Sequence, residues 1–170
     1  DYILFNKPDA TIPLGDVTAG IVARNRLKIK EYTGLTVPSN DVFIIAADKG
    51  LTMKYCMESN IPCPKTYLPD ESNLDEILDQ LEYPVVVKPR MGIGAIGFRR
   101  FDNSVDLRKQ FSKLNADFGR LLIQEYIPQE NGMQYQAEAF LDNNSKIRVC
   151  MVISKPRFYP ITGGTSSANV

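Results

Sequence analysis

The sequence predicts an α+β fold with mixed α/β character, and three observations support this. From residue 62 onward, short apolar runs typical of strands alternate with amphipathic helical patterns. A glycine-rich loop joins two strand-like runs with no helical pattern between them. Two long strand-like segments are separated by Asp142–Asn144, which favours a hairpin turn. The expected order is therefore strand, helix, strand, strand, helix, strand and a final hairpin.

Composition restricts the classes of function that the chain can have. It has 170 residues, a formal net charge of zero and 44% hydrophobic residues, which fits one domain or one and a half. The neutral balance gives no support for a general nucleic-acid or membrane-surface role. No apolar run approaches the ~18 residues of a membrane span, and no signal-peptide pattern is found. The three scattered cysteines indicate a reducing, cytoplasmic setting rather than a disulfide framework.

The chain contains no histidine, which excludes several kinds of chemistry. A Ser-His-Asp or Cys-His nucleophile cannot be built from this sequence alone. A histidine-ligated metal is excluded as well, and the cysteines are too widely spaced for a metal cluster. Any chemistry must therefore depend on Lys, Arg, Glu, Asp, backbone amides and a bound ion.

The first part of the chain is expected to contain one strand and several helices. Tyr2–Phe5 reads as a short buried strand, and Asp16–Tyr32 as a helix or a pair of helices. A further short helix is expected to reach Ala47 after the break at Pro38. Asp48 is a candidate N-cap for the helix that follows, which ends before Pro62.

Two amphipathic helices are expected among the strands that follow Lys65–Leu68. Ser72 is expected to open the first, and Asp102–Ser104 to cap the second. Each helix has one apolar face, formed respectively by Leu74, Ile77, Leu78 and Leu81 and by Leu107, Phe111 and Leu114. The later strands are expected at residues 121–126, 134–141 and 146–154.

The glycine-rich loop carries the strongest functional signal. Gly92, Gly94 and Gly97 match G-x-G-x-x-G, after the β-branched strand Val85–Val87 and before Phe98–Phe101. A dinucleotide-binding fingerprint would need a helix directly after the loop, whereas the Phe/Arg alternation here predicts a strand. A protein-kinase loop would have its lysine on the strand after the glycines, whereas Lys88 lies before them.

The loop is expected to bind phosphate. Glycines let backbone N–H groups approach phosphate oxygens closely, and Lys88 would supply a positive charge beside them. Arg90 could supply a second charge. The alternative is an ordinary glycine hairpin with solvated basic residues, and the buried strand ending in Lys88-Pro89 argues against it.

Four blocks of sequence resemble the ATP-grasp superfamily, in the group of the carbamoyl-phosphate synthase large chain. They are Ala46–Lys49 with Asn60–Pro64, Tyr83–Pro89 with the glycine loop, Leu122–Ile127 and Gln134–Ala139, within a match that runs from about Ala46 to Gly164. The resemblance implies an incomplete ATP-grasp fold. Its domains would be the end of a preceding domain at 1–47, a subdomain with the phosphate loop at 48–120, and a hinge with the start of a second subdomain at 121–170.

The resemblance also implies which residues contact the nucleotide. Lys49 and Lys88 would lie beside the phosphates, and the hinge residues Gln124, Glu125, Tyr126 and Ile127 would lie beside the adenine. The family usually places a carboxylate for the ribose hydroxyls where this chain has Gln134, so Gln134 or Glu130 would take that role. Glu138 matches a further acidic position without an assigned role. Lys155, Arg157 and the Gly163-Gly164 turn loosely resemble the substrate-facing segment, with Arg157 a weak catalytic candidate.

The implied activity is ligation driven by ATP and Mg²⁺. A small carboxylate would become an acyl phosphate, which an amine, ammonia or another nucleophile would attack. The family's metal ligands would fall after Val170, so the chain is expected to be a piece of a larger enzyme and inactive alone. A non-catalytic regulatory nucleotide-binding module, or an unrelated α+β domain with a structural glycine hairpin, are the alternatives. The expected protein is cytoplasmic, binds neither nucleic acid nor membrane, and could form a homodimer.

Overall fold

A computed structural model describes residues 2–69, 74–128, 134–159 and 165–168, with only the backbone described for 158, 159 and 165–168. The helices are α1 (Tyr2–Asn6), α2 (Asp16–Arg24), α3 (Arg26–Ile29), α4 (Asn40–Ala47), α5 (Lys49–Glu58), α6 (Leu74–Gln80) and α7 (Ser104–Phe118). The strands are β1 (Ala10–Thr11), β2 (Gly34–Leu35), β3 (Thr66–Tyr67), β4 (Val85–Pro89), β5 (Arg99–Phe101), β6 (Leu121–Glu125), β7 (Gln134–Leu141), β8 (Ile147–Lys155), β9 (Arg157–Tyr159) and β10 (Thr165–Ala168). This confirms the predicted mixed α/β fold.

A four-stranded antiparallel sheet in the order β3-β6-β4-β5 forms the centre of the fold. Strand β4 pairs with β5 on one side and with β6 on the other, where Lys88 lies opposite Leu122. Helices α6 and α7 cover this sheet with the two predicted apolar faces, since Ile77, Leu107 and Phe111 belong to one buried cluster with Val87. The burial of this cluster is the main stabilising contribution to this part of the fold.

The remaining strands form three two-stranded sheets. Strands β1 and β2 are parallel, whereas β7 pairs antiparallel with β8 and β9 with β10. The β7–β8 hairpin matches the prediction, with Asp142 accepting hydrogen bonds from the Asn144 and Lys146 N–H groups in the turn. Among the described residues, no helix is long and apolar enough to span a bilayer.

The predicted strand at Tyr2–Phe5 is wrong, because these residues lie in helix α1. Their side chains are also more exposed than expected, and Phe5 is 92% exposed. A run of four apolar residues has no periodicity that distinguishes strand from helix. Asp16–Tyr32 is a helix pair, one of the two forms expected. The expected start of a helix at Ser72 lies outside the described residues.

Candidate nucleotide-phosphate site

Lys88 reaches the candidate site from the fourth position of β4, directly after three buried valines. The sequence places a β-branched run before it, which fixes this part of the strand inside the sheet. Burial, together with the nearby positive charge of Lys49, lowers the pKa of Lys88 below the usual 10.5. The ammonium group is therefore held where charge is costly, which is a feature of functional sites.

A chain of side-chain hydrogen bonds holds the Lys88 ammonium group. Its Nζ donates to Oε1 of Gln124 at 2.7 Å, and Nε2 of Gln124 donates to Oγ1 of Thr66 at 2.7 Å. The Thr66 hydroxyl in turn donates to the backbone oxygen of Pro64 at 2.7 Å. Lys88 is thus bonded to a neutral amide, which leaves its positive charge uncompensated by this partner.

Lys49 enters the same site as the first residue of α5. Asp48 caps this helix by accepting hydrogen bonds from the N–H groups of Gly50 and Leu51, which confirms the predicted N-cap. The Lys49 backbone N–H donates to the Arg90 oxygen at 3.0 Å, and this bond ties the start of α5 to the residue after β4. Its side-chain Nζ donates to the Gly92 oxygen at 2.9 Å, so Lys49 touches the glycine loop.

Arg90 does not lie where the sequence analysis placed it. Its side chain is 1% exposed, and its Nε and Nη2 donate to the Asp48 carboxylate at 2.9 and 3.0 Å. Burial opposes ionisation of Asp48, but hydrogen bonds from Arg90, Leu51 and Gly50 outweigh it and lower the Asp48 pKa. The guanidinium is therefore committed to this buried pair, and the geometry does not support the phosphate contact expected of Arg90.

Gly50 provides the space that this ion pair occupies. A Cβ atom at Gly50 would lie 2.4 Å from Nε of Arg90, closer than any real non-bonded contact. The sequence showed Asp48 as a cap and Arg90 as a basic residue but not their pairing. The sequence signal that could have indicated this pair is the glycine at the second position of α5, which leaves space for a large side chain beside the helix.

The glycine loop folds over the two lysines. Gly92, Gly94 and Gly97 have backbone φ angles of 124°, 63° and 75°, which residues with a Cβ atom rarely adopt. A Cβ at Gly97 would also lie 2.5 Å from Cγ of Pro89, so this end of the loop packs tightly on β4. The space enclosed is about 30 Å³ and is lined by Lys49, Lys88, Pro89, Met91, Gly92, Gly94, Ile96 and Phe98.

This pocket fits the chemistry of a phosphate group but not yet its size. Two ammonium groups and a glycine-rich backbone are suited to bind phosphate oxygens. The space of about 30 Å³ is small because the glycine loop lies close over the two lysines in this conformation.

The hinge residues lie at the end of β6 and directly after it, and of these the Gln124 side chain contacts Lys88. The Glu125 N–H donates to the Lys65 oxygen at 3.0 Å, and its carboxylate accepts the Lys65 N–H at 2.9 Å. The Tyr126 N–H donates to the Pro84 oxygen at 3.3 Å, and Arg100 lies over the Tyr126 ring at 4.4 Å. The Glu125 carboxylate thus joins β6 to the start of β3, while Ile127 is 54% exposed.

Among the described residues, the remaining predicted site residues do not line this pocket. Gln134 is half-buried at the start of β7, where it lies opposite Lys155 of β8, and Glu138 is exposed further along β7. Arg157 is exposed at the start of β9. Glu130, Gly163 and Gly164 lie outside the described residues. In the part of the chain that is described, no group of three Cys, Asp or Glu side chains could hold a metal ion.

Comparison with known proteins identifies the class to which this fold and site belong. The model of the ATP-grasp domain matches residues 46–157, which is more than half of the chain. The chain therefore belongs to the ATP-grasp family, as its sequence motifs indicated. A D-alanine–D-alanine ligase from Marinomonas sp. (strain MWYL1) is 34% identical over 85 residues, covering 49% of this chain and 26% of the ligase.

Solved structures of ATP-grasp enzymes share the fold. The biotin carboxylase domain of 2-oxoglutarate carboxylase from Hydrogenobacter thermophilus, in complex with MgADP and bicarbonate, has a TM-score of 0.72 and 21% identity. The match covers 91% of this chain and 36% of that one. D-alanine–D-alanine ligase from Helicobacter pylori has a TM-score of 0.59 and 18% identity, over 82% of this chain and 40% of the ligase. The chain thus spans well under half of these relatives.

Proposed function

We propose that this chain is the ATP-binding portion of an ATP-grasp ligase that activates a carboxylate as an acyl phosphate. The observation that carries the proposal is the meeting of Lys49 and Lys88 beneath one glycine loop. Both ammonium groups line a pocket formed by backbone and apolar side chains, and neither hydrogen bond found for them goes to a carboxylate. Such a site favours an anionic ligand with closely spaced oxygens.

In the proposed complex, the two lysines bind the phosphates and the end of β6 binds the base. Lys88 and Lys49 would donate to phosphate oxygens, while the backbone of Gln124–Ile127 would meet the adenine edge. Gln134, or Glu130 in its place, would accept hydrogen bonds from the ribose hydroxyls. These contacts position the nucleotide, which is the main task of a protein in phosphoryl transfer.

The proposed reaction has two steps. A substrate carboxylate oxygen attacks the γ-phosphorus, the bond between that phosphorus and the β–γ bridging oxygen breaks, and ADP leaves. The nitrogen of an amine or ammonia then attacks the acyl carbon and displaces phosphate. Mg²⁺ would neutralise phosphate charge in this chemistry, and among the described residues no group of three Cys, Asp or Glu side chains could hold it.

The proposed approach of the substrate carboxylate is a groove beside the glycine loop. An open groove of about 790 Å³ separates the loop from α2, and its lining includes Met91, Gly92, Ile93, Phe43 and Arg24. Because the groove adjoins the loop that covers the phosphate pocket, a small acid held there would lie near transferable phosphate. The proposal thus gives residues 1–47 the part of a substrate wall, with 48–120 and 121–170 as the two ATP-binding subdomains.

Isothermal titration of ATP into the chain and three variants tests the nucleotide site. K88M and K49M each remove one charge-assisted contact of ~1.5–3 kcal/mol, which corresponds to roughly ten- to hundredfold weaker binding. K113M removes an exposed lysine of α7 and should leave affinity unchanged. Equal ATP affinity in K88M and K113M would refute the proposed site.

A non-catalytic nucleotide-binding module is the second candidate, and Gln134 favours it. An amide stands at the start of β7 where the family resemblance expects a carboxylate. ATP-dependent formation of acyl hydroxamate from a small carboxylate and hydroxylamine, measured on the whole protein, separates the two candidates. Turnover would support the ligase, and binding without turnover across a panel of acids would support the module.

The proposal of an ATP-grasp ligase also includes membership of the carbamoyl-phosphate synthase group, a cytoplasmic location and a homodimer.

A further inference from the structure

Gln124 is a polar residue at a position where the fold otherwise places apolar side chains. It follows Leu121, Leu122 and Ile123 in β6, and it is itself only 5% exposed. A buried amide costs free energy unless its oxygen and its nitrogen both find partners. Both do so here, with Lys88 on one side and Thr66 on the other.

The hydrogen-bond chain can run in only one direction, because both of its ends are fixed chemically. The Pro64 oxygen can only accept, so the Thr66 hydroxyl must donate to it. The Thr66 oxygen then has lone pairs left to accept the Gln124 N–H. This leaves Oε1 of Gln124 facing the Lys88 ammonium, which can only donate. Thr66 thereby holds the Nε2 end of the amide, so the oxygen end stays in place against the lysine.

We propose that Gln124, oriented by Thr66, is a positioning residue that holds the Lys88 ammonium group in the phosphate pocket without neutralising it. This inference rests on the proposed nucleotide site, and it assigns the Gln124 side chain to the phosphates although its backbone lies at the adenine hinge. It also assigns a role to Thr66, which the sequence motifs do not single out. Thr66 is also a positioning residue, and it acts on Lys88 only through Gln124.

The neutral amide matters for affinity. An ammonium group has three protons, and the bond to Gln124 uses one of them. The other two are available to phosphate oxygens while the full positive charge remains. A carboxylate at the same place would form an ion pair with Lys88 and compete with the phosphate for its charge. The amide therefore fixes the direction of the Lys88 ammonium group and leaves its full positive charge to interact with the ligand.

Thr66 gives a sharp test, because valine has nearly the shape of threonine without its hydroxyl. T66V removes the acceptor of the Gln124 Nε2, so the buried N–H₂ group is left without a hydrogen bond and the amide loses its fixed place against Lys88. T66S keeps the hydroxyl and should rescue the contact. We expect ATP affinity to fall about tenfold in T66V, or ~1.4 kcal/mol, and to stay within about twofold in T66S. Q124M, which removes both amide contacts, should behave like T66V.

Adenosine is the ligand that separates positioning from general loosening of the sheet. It has no phosphates, so its affinity should be the same in T66V, T66S and the unmodified chain. A purely structural role for Thr66 would weaken adenosine and ATP in parallel. Equal losses for both ligands, or no loss of ATP affinity in T66V and Q124M, would overturn the inference.

Nuclear magnetic resonance of lysine ammonium groups tests the contact without any nucleotide. The ¹⁵Nζ signal of Lys88, identified by its disappearance in K88R, should exchange slowly with water because the group is buried and bonded. We expect it to shift and broaden in T66V and to persist in T66S. An unchanged signal in T66V would refute the positioning contact. Failure of the unmodified chain to bind ATP would instead refute the proposed function, while a signal sensitive to T66V would still support the contact.

Discussion

Alanine at Gly50 tests whether the buried Asp48–Arg90 pair depends on the space beside α5. The added Cβ would lie 2.4 Å from Nε and 2.8 Å from Cζ of Arg90. Arg90 is 1% exposed, and two of its nitrogens are bonded to Asp48, so the guanidinium has little room to give way. We therefore expect G50A to separate the pair or to displace the start of α5.

The magnitude follows from three opposing contributions. Replacing glycine by alanine within a helix normally stabilises it by about 1 kcal/mol. Overpacking a filled interior costs roughly 1–3 kcal/mol, and leaving a buried charge without its partner costs roughly 3–5 kcal/mol. Overpacking and separation of the pair are alternative ways to relieve the clash, and the tightly held guanidinium favours separation, so we expect a net loss of about 2–4 kcal/mol. In a chain of this length that lowers Tm by roughly 4–16 °C.

Urea unfolding and a thermal melt of G50A, beside G20A as a matched control, measure this loss. Gly20 is also a buried helical glycine, but its nearest obstacle is the ring of Phe43 at 3.2 Å, which is only half-buried and can shift. G20A should be close to neutral. The reasoning about Arg90 would be refuted if G50A unfolded at the same urea concentration as the unmodified chain, or at a higher one.

Three further predictions concern the same region. Because the folded-state pKa of Asp48 is lowered from 3.8, its carboxylate stabilises the fold above about pH 4, and this stabilisation is lost as pH falls through the folded-state pKa. D48N should therefore flatten the acid limb of a plot of unfolding free energy against pH. An unchanged acid limb would contradict this. Because the pKa of Lys88 is lowered from 10.5, ATP affinity should begin to fall with rising pH earlier than an ordinary lysine allows, whereas K88R should give a flat profile by titration calorimetry. G97A should lower Tm more than G92A, because both add a Cβ at positive φ but only the first meets Pro89; equal shifts in a thermal melt would count against the packing of the loop base.

The central hairpin and its loop could be predicted because their signals are local. The valine run fixes β4, the glycines fix the loop, and the Phe/Arg alternation fixes β5, each from neighbouring residues. The buried faces of α6 and α7 follow from helical periodicity in the same way. The prediction of a strand at Tyr2–Phe5 was wrong because so short an apolar run has no periodicity.

The parts of the site that sequence reasoning missed depend on contacts between distant segments. The position of Arg90 after Lys88-Pro89 predicts a phosphate ligand, and only the fold shows that its guanidinium is bonded to Asp48. Thr66 and Gln124 are ordinary polar residues in the sequence, and their bond becomes visible only when β3 pairs with β6. A polar residue inside an apolar strand such as Leu121–Gln124 is the one local signal that pointed to such a partner.

Lys49 and Lys88 both occupy positions where a positive charge is unfavourable in the protein without a bound anion. Lys49 is the first residue of α5, where the helix dipole disfavours a positive charge by ~0.3–1 kcal/mol. Lys88 is desolvated and repelled by Lys49. The fold thus carries a standing electrostatic cost, and any anion that enters the pocket relieves it. Under the proposed function, an anion that binds the pocket of the folded protein should therefore raise its free energy of unfolding.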